Sequence, residues 1–402
     1  MSPAPRRSPA PTPAKRAART PAKRSAGAPA GRAVVKAGEE SSPELLLELL
    51  RARGTSGHEA APVAVWRRAA ERFSQVSTDP IGTPQALLAP RKARGARRSG
   101  AARERPRRLL VMGHIDEIGL IVTHIDDDGQ LWFREVGGWD PQVLVGQRVT
   151  LDTADGPRLG VVGRKPIHLL RDEERKKVPE LSDLHIDIGA RDGEQARELA
   201  RVGDVAVIEA APARLPNGRL ISRALDNRLG SYVALEAARL VAQAGGSAWE
   251  LATVAAVQEE TTFGGSRTSA FSLAPDAAIV LDVTHATDAP GVDVKPSGKH
   301  PLGSGPVISR GSTLHEGVFE LLYATARKER IGFTIEASGR ATGTDADAVH
   351  ASRAGVPTGL VMIPVRYMHS PVEMVDLQDV AAAARLIAAA ALALEPDTRF
   401  AR

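Results

Sequence analysis

Hydrophobic positions change period several times along this chain, and the changes mark out its elements. Leu45, Leu46, Leu49 and Leu50 recur at helical spacing after Ser42-Pro43-Glu44, a Ser cap with Pro in the first turn. Gly54-Thr55-Ser56-Gly57-His58-Glu59 reads as a turn into a second helix carrying Val63, Val65 and Trp66, and residues 76–90 as a short strand pair. Leu109-Leu110-Val111-Met112 is apolar without alternation, the mark of a strand covered on both faces in a parallel or mixed sheet. From about Val122 to Ala213 short alternating segments (130–136, 148–152, 159–163 and 204–210) are separated by Gly, Asp and Pro turns, which predicts a small, mostly β domain. After Leu220 a βα rhythm returns. Helices are predicted over 228–244, 316–328, 346–354 and 377–394, and strands over 251–258, 277–282, 334–337 and 359–363. The whole predicts an α/β fold whose sheet is interrupted by an inserted β domain.

Length and composition narrow this picture. A chain of 402 residues exceeds what one hydrophobic core usually supports, so two domains with additions are expected. There is no cysteine, which excludes thiolate ligands, disulfides and thiol catalysis; any metal site must be built from His, Asp and Glu. The net charge of +5 conceals a division. Residues 1–40 carry nine Lys/Arg against two Glu, and residues 91–108 carry nine against one, so everything else sums to about −10. The body of the protein is acidic, and the high pI belongs to two appendages.

Residues 1–40, rich in Pro, Ala, Lys and Arg, lack the apolar side chains needed to offset ordering entropy and are expected to be disordered. Their Ala-Lys-Arg elements resemble basic tails of DNA-associated proteins, which leaves nucleic-acid contact open beside a merely solubilising role. The 91–108 run reads as a lengthened surface loop. No apolar stretch reaches the ~18 residues of a membrane span, and no apolar core follows Arg6-Arg7. A cytoplasmic location without a signal is therefore expected.

Five segments bring metal-ligand chemistry to the ends of apolar runs: His114-Ile115-Asp116, Asp226-Asn227, Glu259-Glu260, Leu281-Asp282 and His369-Ser370. His114 and Asp116, two apart in extended chain, point the same way, and a carboxylate beside an imidazole fixes its tautomer. Asp226 taken alone is most often a helix N-cap; a carboxylate can also bridge two cations, and only the company of the other segments favours that reading. Adjacent Glu259 and Glu260 repel unless a cation or shared proton compensates, which suits one as ligand and the other as general base. Asp282 closes an apolar strand, although Asp276, His285 and Asp288 lie near it. His369 could equally be a loop histidine. Gly343-Thr344-Asp345 reads as a substrate-contact or structural turn rather than a ligand.

Taken in order, these segments resemble metallopeptidase family forty-two, the glutamyl and tetrahedral aminopeptidases. The resemblance runs from about Ser42 to Leu394. It rests on His114-Ile115-Asp116-Glu117-Ile118-Gly119, Gly137-Gly138, Lys165-Pro166-Ile167-His168-Leu169, Ile186-Asp187-Ile188-Gly189-Ala190, Leu225-Asp226-Asn227-Arg228, Gln258-Glu259-Glu260, Gly343-Thr344-Asp345-Ala346 and Arg366-Tyr367-Met368-His369-Ser370. It implies a mixed-sheet α/β/α sandwich over 41–121 and 214–396, with a small barrel-like dimerisation domain inserted at 122–213. It further implies two divalent ions, zinc or cobalt. Asp226 would bridge them, His114 and Asp282 would complete one site, and Glu260 and His369 the other. Glu259 would be the general base and Asp116 the partner of His114. Peptides would be the substrates, and dimers would assemble into a dodecamer. Where many relatives follow the Glu pair with Gly and then Arg-Gly, this chain reads Thr261-Thr262-Phe263-Gly264-Gly265-Ser266, so the loop beside the ligands has its own shape. Two other readings stand beside the aminopeptidase: a non-peptide amide or N-acyl-amino-acid hydrolase using the same site, and a nucleic-acid-associated protein acting through its tail. Endoglucanase activity has been attached to relatives, but a glycosidase needs two carboxylates free to flank a sugar ring.

Overall fold

The computed structural model describes residues 43–91 and 105–400; the tail 1–40 and most of the 91–108 run lie outside the described residues. In chain order, helices α1 (Pro43–Arg51) and α2 (Ala60–Ala70) precede strands β1 (Gln75–Thr78), β2 (Pro84–Leu88) and β3 (Arg108–His114). Then come β4 (Gly119–Ile125), β5 (Leu131–Val136), β6 (Arg148–Thr153), β7 (Gly156–Arg164), β8 (Leu184–Asp187) and β9 (Val205–Ile208), followed by the short β10 (Ala213–Leu215) and β11 (Arg219–Ser222). The remainder alternates: α3 (Leu225–Gln243), β12 (Glu250–Ala256), α4 (Gly264–Leu273), β13 (Ala277–His285), β14 (Val307–Gly311), α5 (Glu316–Glu329), β15 (Thr334–Ser338), β16 (Thr358–Val365), β17 (Glu373–Asp376) and α6 (Leu377–Ala393).

Eight strands form a mixed sheet in the order β1-β2-β12-β3-β13-β16-β14-β15. Its centre, β12-β3-β13-β16, is all parallel, and the flanking pairs β2/β12 and β16/β14 are antiparallel. Unbroken apolar runs serve this position because alternate side chains enter opposite layers. In β3, Leu109 and Val111 join the core under α1, α2, α3 and α6, whereas Leu110 and Met112 join the one under α4 and the 345–350 helix. The result is an α/β/α sandwich. Between β3 and β12 the chain makes a closed barrel, β4-β5-β8-β7-β6-β9, with its own core of Leu120, Val122, Leu131, Leu151 and Ile186. A three-stranded sheet, β10-β11-β17, joins the end of this excursion to the chain ahead of α6.

Two expectations need correction at element level. Asp282 does not end its strand: β13 continues to His285, because β16 alongside pairs as far as His285↔Val365. Glu259 and Glu260 do not close β12; they open a short helical turn, Glu259–Thr262, that Gln258 enters with a left-handed backbone (φ 60°).

Candidate metal centre

Four neighbouring parallel strands point their carboxyl ends the same way, so the segments leaving them meet above one edge of the sheet. His114 is the last residue of β3, Glu259 and Glu260 follow β12, Asp282 lies near the end of β13, and His369 follows β16. Asp226 arrives from the other direction, in the first turn of α3. That helix reaches the site because β3 and α3 touch at glycines: a Cβ on Gly113 would sit 2.5 Å from the Gly230 carbonyl carbon. Asn227 fixes the same junction, donating to Leu281 O at 2.8 Å and accepting from Gly230 N at 2.8 Å.

The five segments converge closely. His114 Nε2 lies 3.1 Å from Asp226 Oδ1, 3.7 Å from Glu259 Oε2 and 4.0 Å from Asp282 Oδ1. His369 Nε2 lies 3.4 Å from Asp226 Oδ2 and 3.8 Å from Glu260 Oε2. Ligand atoms of His114, Asp226 and Glu260, and of His114, Glu259 and Asp282, fall within 4.8 Å of one another. Asp226 thus faces both imidazoles with different oxygens. Asp116 faces His114 Nδ1 at 3.4 Å and accepts the backbone N–H groups of Glu259 (3.0 Å) and Glu260 (3.1 Å).

The local backbone is held away from its easy conformations. Of the nine non-glycine residues with positive φ among the described residues, Ala224, Gln258, Phe263, Tyr367 and His369 flank these segments. Each left-handed residue costs about 1–2 kcal/mol, which surrounding contacts must offset. The offsetting contacts are buried carboxylates. Besides Asp116, Glu59 accepts from Gln258 N at 3.0 Å, and Glu373 accepts from both Asp226 N (3.1 Å) and His369 N (2.9 Å). From the barrel side, Gly138 O accepts the Nδ1 proton of His369 at 2.8 Å, which leaves Nε2 free to face the cluster. None of Glu59, Glu373 or the Gly138 carbonyl was picked out from the sequence. Only the Gly137-Gly138 pair gave a local signal, since a Cβ on Gly137 would meet Ile118 at 2.4 Å.

Electrostatics show what this cluster lacks. Burial pushes the Glu259 carboxyl up to about 10, with Asp282, Asp345 and Glu260 adding to the effect of burial against His114. Burial likewise takes Glu260 and Asp282 to about 8, each raised further by Asp226. Burial would lower His114, but Glu259, Asp116 and Asp226 outweigh it and hold the imidazole well above its ordinary value. A hydrogen bond to Asp226 does the most to lift His369 to about 9. Two carboxyls run the other way against their burial: both imidazoles hydrogen-bond Asp226 and hold it well below the carboxylate range, and His114 with the Glu259 and Glu260 amides lowers Asp116. So many carboxylates in one dry pocket hold protons because positive charge is short. His114 Nδ1 is buried with only a long 3.4 Å approach from Asp116, and the buried Asp345 carboxylate has Ser266 beside it. Imidazole and carboxylate donors facing inward, short of positive charge, fit hard-to-borderline divalent cations. Volume does not mark the place: a cavity of about 670 Å³ lies between α1, α2 and α3 and contains none of these residues. The cluster instead opens through a narrow cleft lined by Ile118, Trp139, Asp226, Glu260, His369 and Ser370.

All seven residues singled out in the sequence, His114, Asp116, Asp226, Glu259, Glu260, Asp282 and His369, meet in this cluster. The nearby alternatives do not. Asp276 accepts the backbone N–H of Arg108 at 3.0 Å, at the opposite end of the sheet, and Asp288 pairs with Arg366 at 2.6 Å. His285 is exposed at the end of β13. Asp345, buried at the start of the 345–350 helix, raises Glu259 and Asp282 through its charge but lies outside the groups of facing ligand atoms.

The chain is similar in sequence and fold to known proteins. The family model for M42 glutamyl aminopeptidases matches residues 96–386. The lysyl aminopeptidase of Pyrococcus furiosus is 36% identical over 280 residues, covering 68% of this chain and 78% of that one. An aminopeptidase from the archaeon Desulfurococcus kamchatkensis superposes with a TM-score of 0.79 at 34% identity, over 88% of this chain and 95% of the other. The TET1 peptidase of Pyrococcus horikoshii can assemble into a tetrahedron or a large octahedral shell. It superposes with a TM-score of 0.76 at 31% identity, over 88% of this chain and all of its own.

Proposed function

The chain belongs to the M42 glutamyl aminopeptidase family, and from that premise we propose that it is a dinuclear metal-dependent aminopeptidase removing single residues from peptide N-termini. The observation that carries this reading is the orientation of Asp226, one oxygen toward each imidazole, with Glu259, Glu260 and Asp282 completing a ring of carboxylates. Asp226 is read as the bridging ligand. His114 and Asp282 would hold one cation and Glu260 and His369 the other, zinc or cobalt being the metals such donors take. When bound, two such cations supply Lewis acidity toward the scissile carbonyl and the attacking water.

The protein's own groups do the rest. Glu259, the acidic residue of the pair not spent as a ligand, takes the proton of the attacking water and returns it to the departing amine. Asp116 fixes the His114 ring and, through the Glu259 and Glu260 amides, the position of base and ligand together. A carboxylate of the cluster holds the free α-ammonium of the substrate, which restricts cleavage to the first residue. The seclusion of the cluster among β3, β13 and α3 keeps bulk water from screening these charges.

The sandwich over 41–121 and 214–396 is read as the catalytic domain, and 122–213 as the dimerisation domain. The barrel exposes Leu159, Val161, Ile167, Leu169 and Val178, apolar side chains that an interface would cover. We read this surface as the contact of dimers that assemble to a dodecamer; the TET1 peptidase can form a tetrahedron or a large octahedral shell. Among the described residues no helix is long and apolar enough to cross a membrane, and a cytoplasmic location fits the reading.

Release of amino acids from a panel of X-peptide substrates tests the proposal, with chelated protein and Glu259→Gln as controls. Loss of the general base should lower kcat by about 10²–10⁴-fold while both metals stay bound. Glu259→Gln at wild-type rate would remove Glu259 from the mechanism. A two-metal protein silent on every peptide would overturn the aminopeptidase reading.

A further inference from the structure

Glu373, on β17, belongs to none of the five ligand segments. Its carboxylate is 2% exposed and accepts two backbone hydrogen bonds, Oε2 from Asp226 N at 3.1 Å and Oε1 from His369 N at 2.9 Å. These two segments arrive from different directions. Asp226 opens α3 after the left-handed Ala224, and His369 follows β16 with two left-handed residues, Tyr367 and His369 itself. No backbone hydrogen bond among the described residues joins the two segments directly; the Glu373 side chain spans them. The strand that carries it is pinned independently: β17 pairs with β11 (Ser222↔Glu373), two residues before Ala224, and the amides and carbonyls of Met374 and Arg366 exchange hydrogen bonds at 3.0 Å. One carboxylate therefore sets the separation of the bridging Asp226 from His369.

We propose that Glu373 is a positioning residue for one half of the metal centre, fixing the Asp226–His369 pair so that the cation held by Asp226, Glu260 and His369 binds tightly. The inference rests on the metal-centre reading above. A carboxylate is the group the geometry asks for, since each oxygen must accept an amide proton. Glutamine offers one acceptor and turns an NH₂ toward the other amide.

The test measures cobalt and zinc binding by competitive chelator titration and elemental analysis of the folded protein, with the Co(II) absorption spectrum as a geometric readout. Wild type should hold two ions per chain. Glu373→Gln should bind the first ion normally and the second about 10–100-fold more weakly, with a changed cobalt spectrum. Asp379→Asn supplies the control: Asp379 likewise accepts two amides, from Gly303 (2.7 Å) and Gly305 (2.6 Å), in a loop outside the cluster. It should lower the melting temperature and leave both metal affinities unchanged. Equal affinities for both ions in Glu373→Gln and wild type overturn the inference, as does metal loss that only tracks unfolding as in Asp379→Asn. A wild-type chain that holds fewer than two ions sinks the metal-centre reading itself, a separate outcome.

Discussion

Glutamate 117, next to Asp116, offers a sharp test of how the metal centre is anchored. Its carboxylate pairs with two guanidiniums: Arg223, and Arg228 at 3.1 Å, while also accepting Gly54 N at 3.0 Å. Glu117 is 2% exposed, Arg223 8% and Arg228 fully buried. Burial lowers Arg228 only to about 10, so it stays charged at neutral pH. Glu117→Gln keeps the volume and one acceptor, so Gly54 N and Arg228 keep their partner, but an NH₂ group now meets Arg223. The variant removes one negative charge and leaves two buried positive ones. Breaking a buried pair in this way costs about 3–5 kcal/mol. At roughly 2 °C per kcal/mol for a fold of this size, the melting temperature should fall by about 6–10 °C. Arg228 also donates to Leu49 O and Ala52 O, so α1, the Gly54 turn and the start of α3 should loosen together. The assay is thermal unfolding of metal-free protein at fixed concentration, paired with hydrogen exchange across 44–57 and 224–230. A melting temperature within about 2 °C of wild type, with exchange unchanged, would refute the claim that this pair anchors the site.

Metal loading should be strongly pH-dependent. Glu259, Glu260 and Asp282 in the metal-free fold have pKa values of about 10, 8 and 8, above their ordinary values, and both imidazoles are raised as well. A raised folded-state pKa contributes stability that is complete below the unfolded value and is lost as pH climbs through the folded one. The metal-free chain should therefore lose melting temperature from about pH 4.5 to about pH 10, and the shift produced by zinc or cobalt should grow over that window; a shift independent of pH would contradict the assignment. At the barrel, Ile167→Asp with Leu169→Asp places two charges on side chains now 61% and 66% exposed. Light scattering should show the assembly falling to smaller species, and an unchanged mass would remove this surface from the interface.

Much of the fold can be read along the chain because the central strands have no choice of environment. Leu109–Met112, Val254–Val257 and Ile279–Leu281 are apolar on both sides of the pleat, which only a sheet covered on both faces accommodates. Chemistry was legible for the same reason: polar residues such as His114 and Glu259 follow those runs where a strand ends, although both stay buried. Strand β14, one place in from the sheet's edge, was harder. Val307–Gly311 is short and ends in Arg310-Gly311, with only its first three residues pairing to β16. Helix α4 was also missed, since Gly264-Gly265-Ser266 reads as loop; there Gly265 packs within 2.4 Å, from its would-be Cβ, of Val257 N.

What remained invisible is the way the ligand segments are tied. Glu59, Asp116 and Glu373 each grip backbone amides, and every non-proline residue offers one, so no sequence motif records the partner. Asp116 was found only because it stands two residues from a histidine. The choice of carboxylates as ties also has an electrostatic consequence. An amide or hydroxyl in their place would hold the same backbone without adding charge. Carboxylates deepen the negative potential of a pocket that already confines Asp226, Glu260 and Asp282, so Asp226 raises Glu373 and Asp116 raises Glu59. On the proposed two-metal reading, each tie would disfavour the empty pocket and favour the loaded one. In such a design, positioning and affinity come from the same side chains, and neutralising any one of them should weaken metal binding beyond what the lost hydrogen bond alone accounts for.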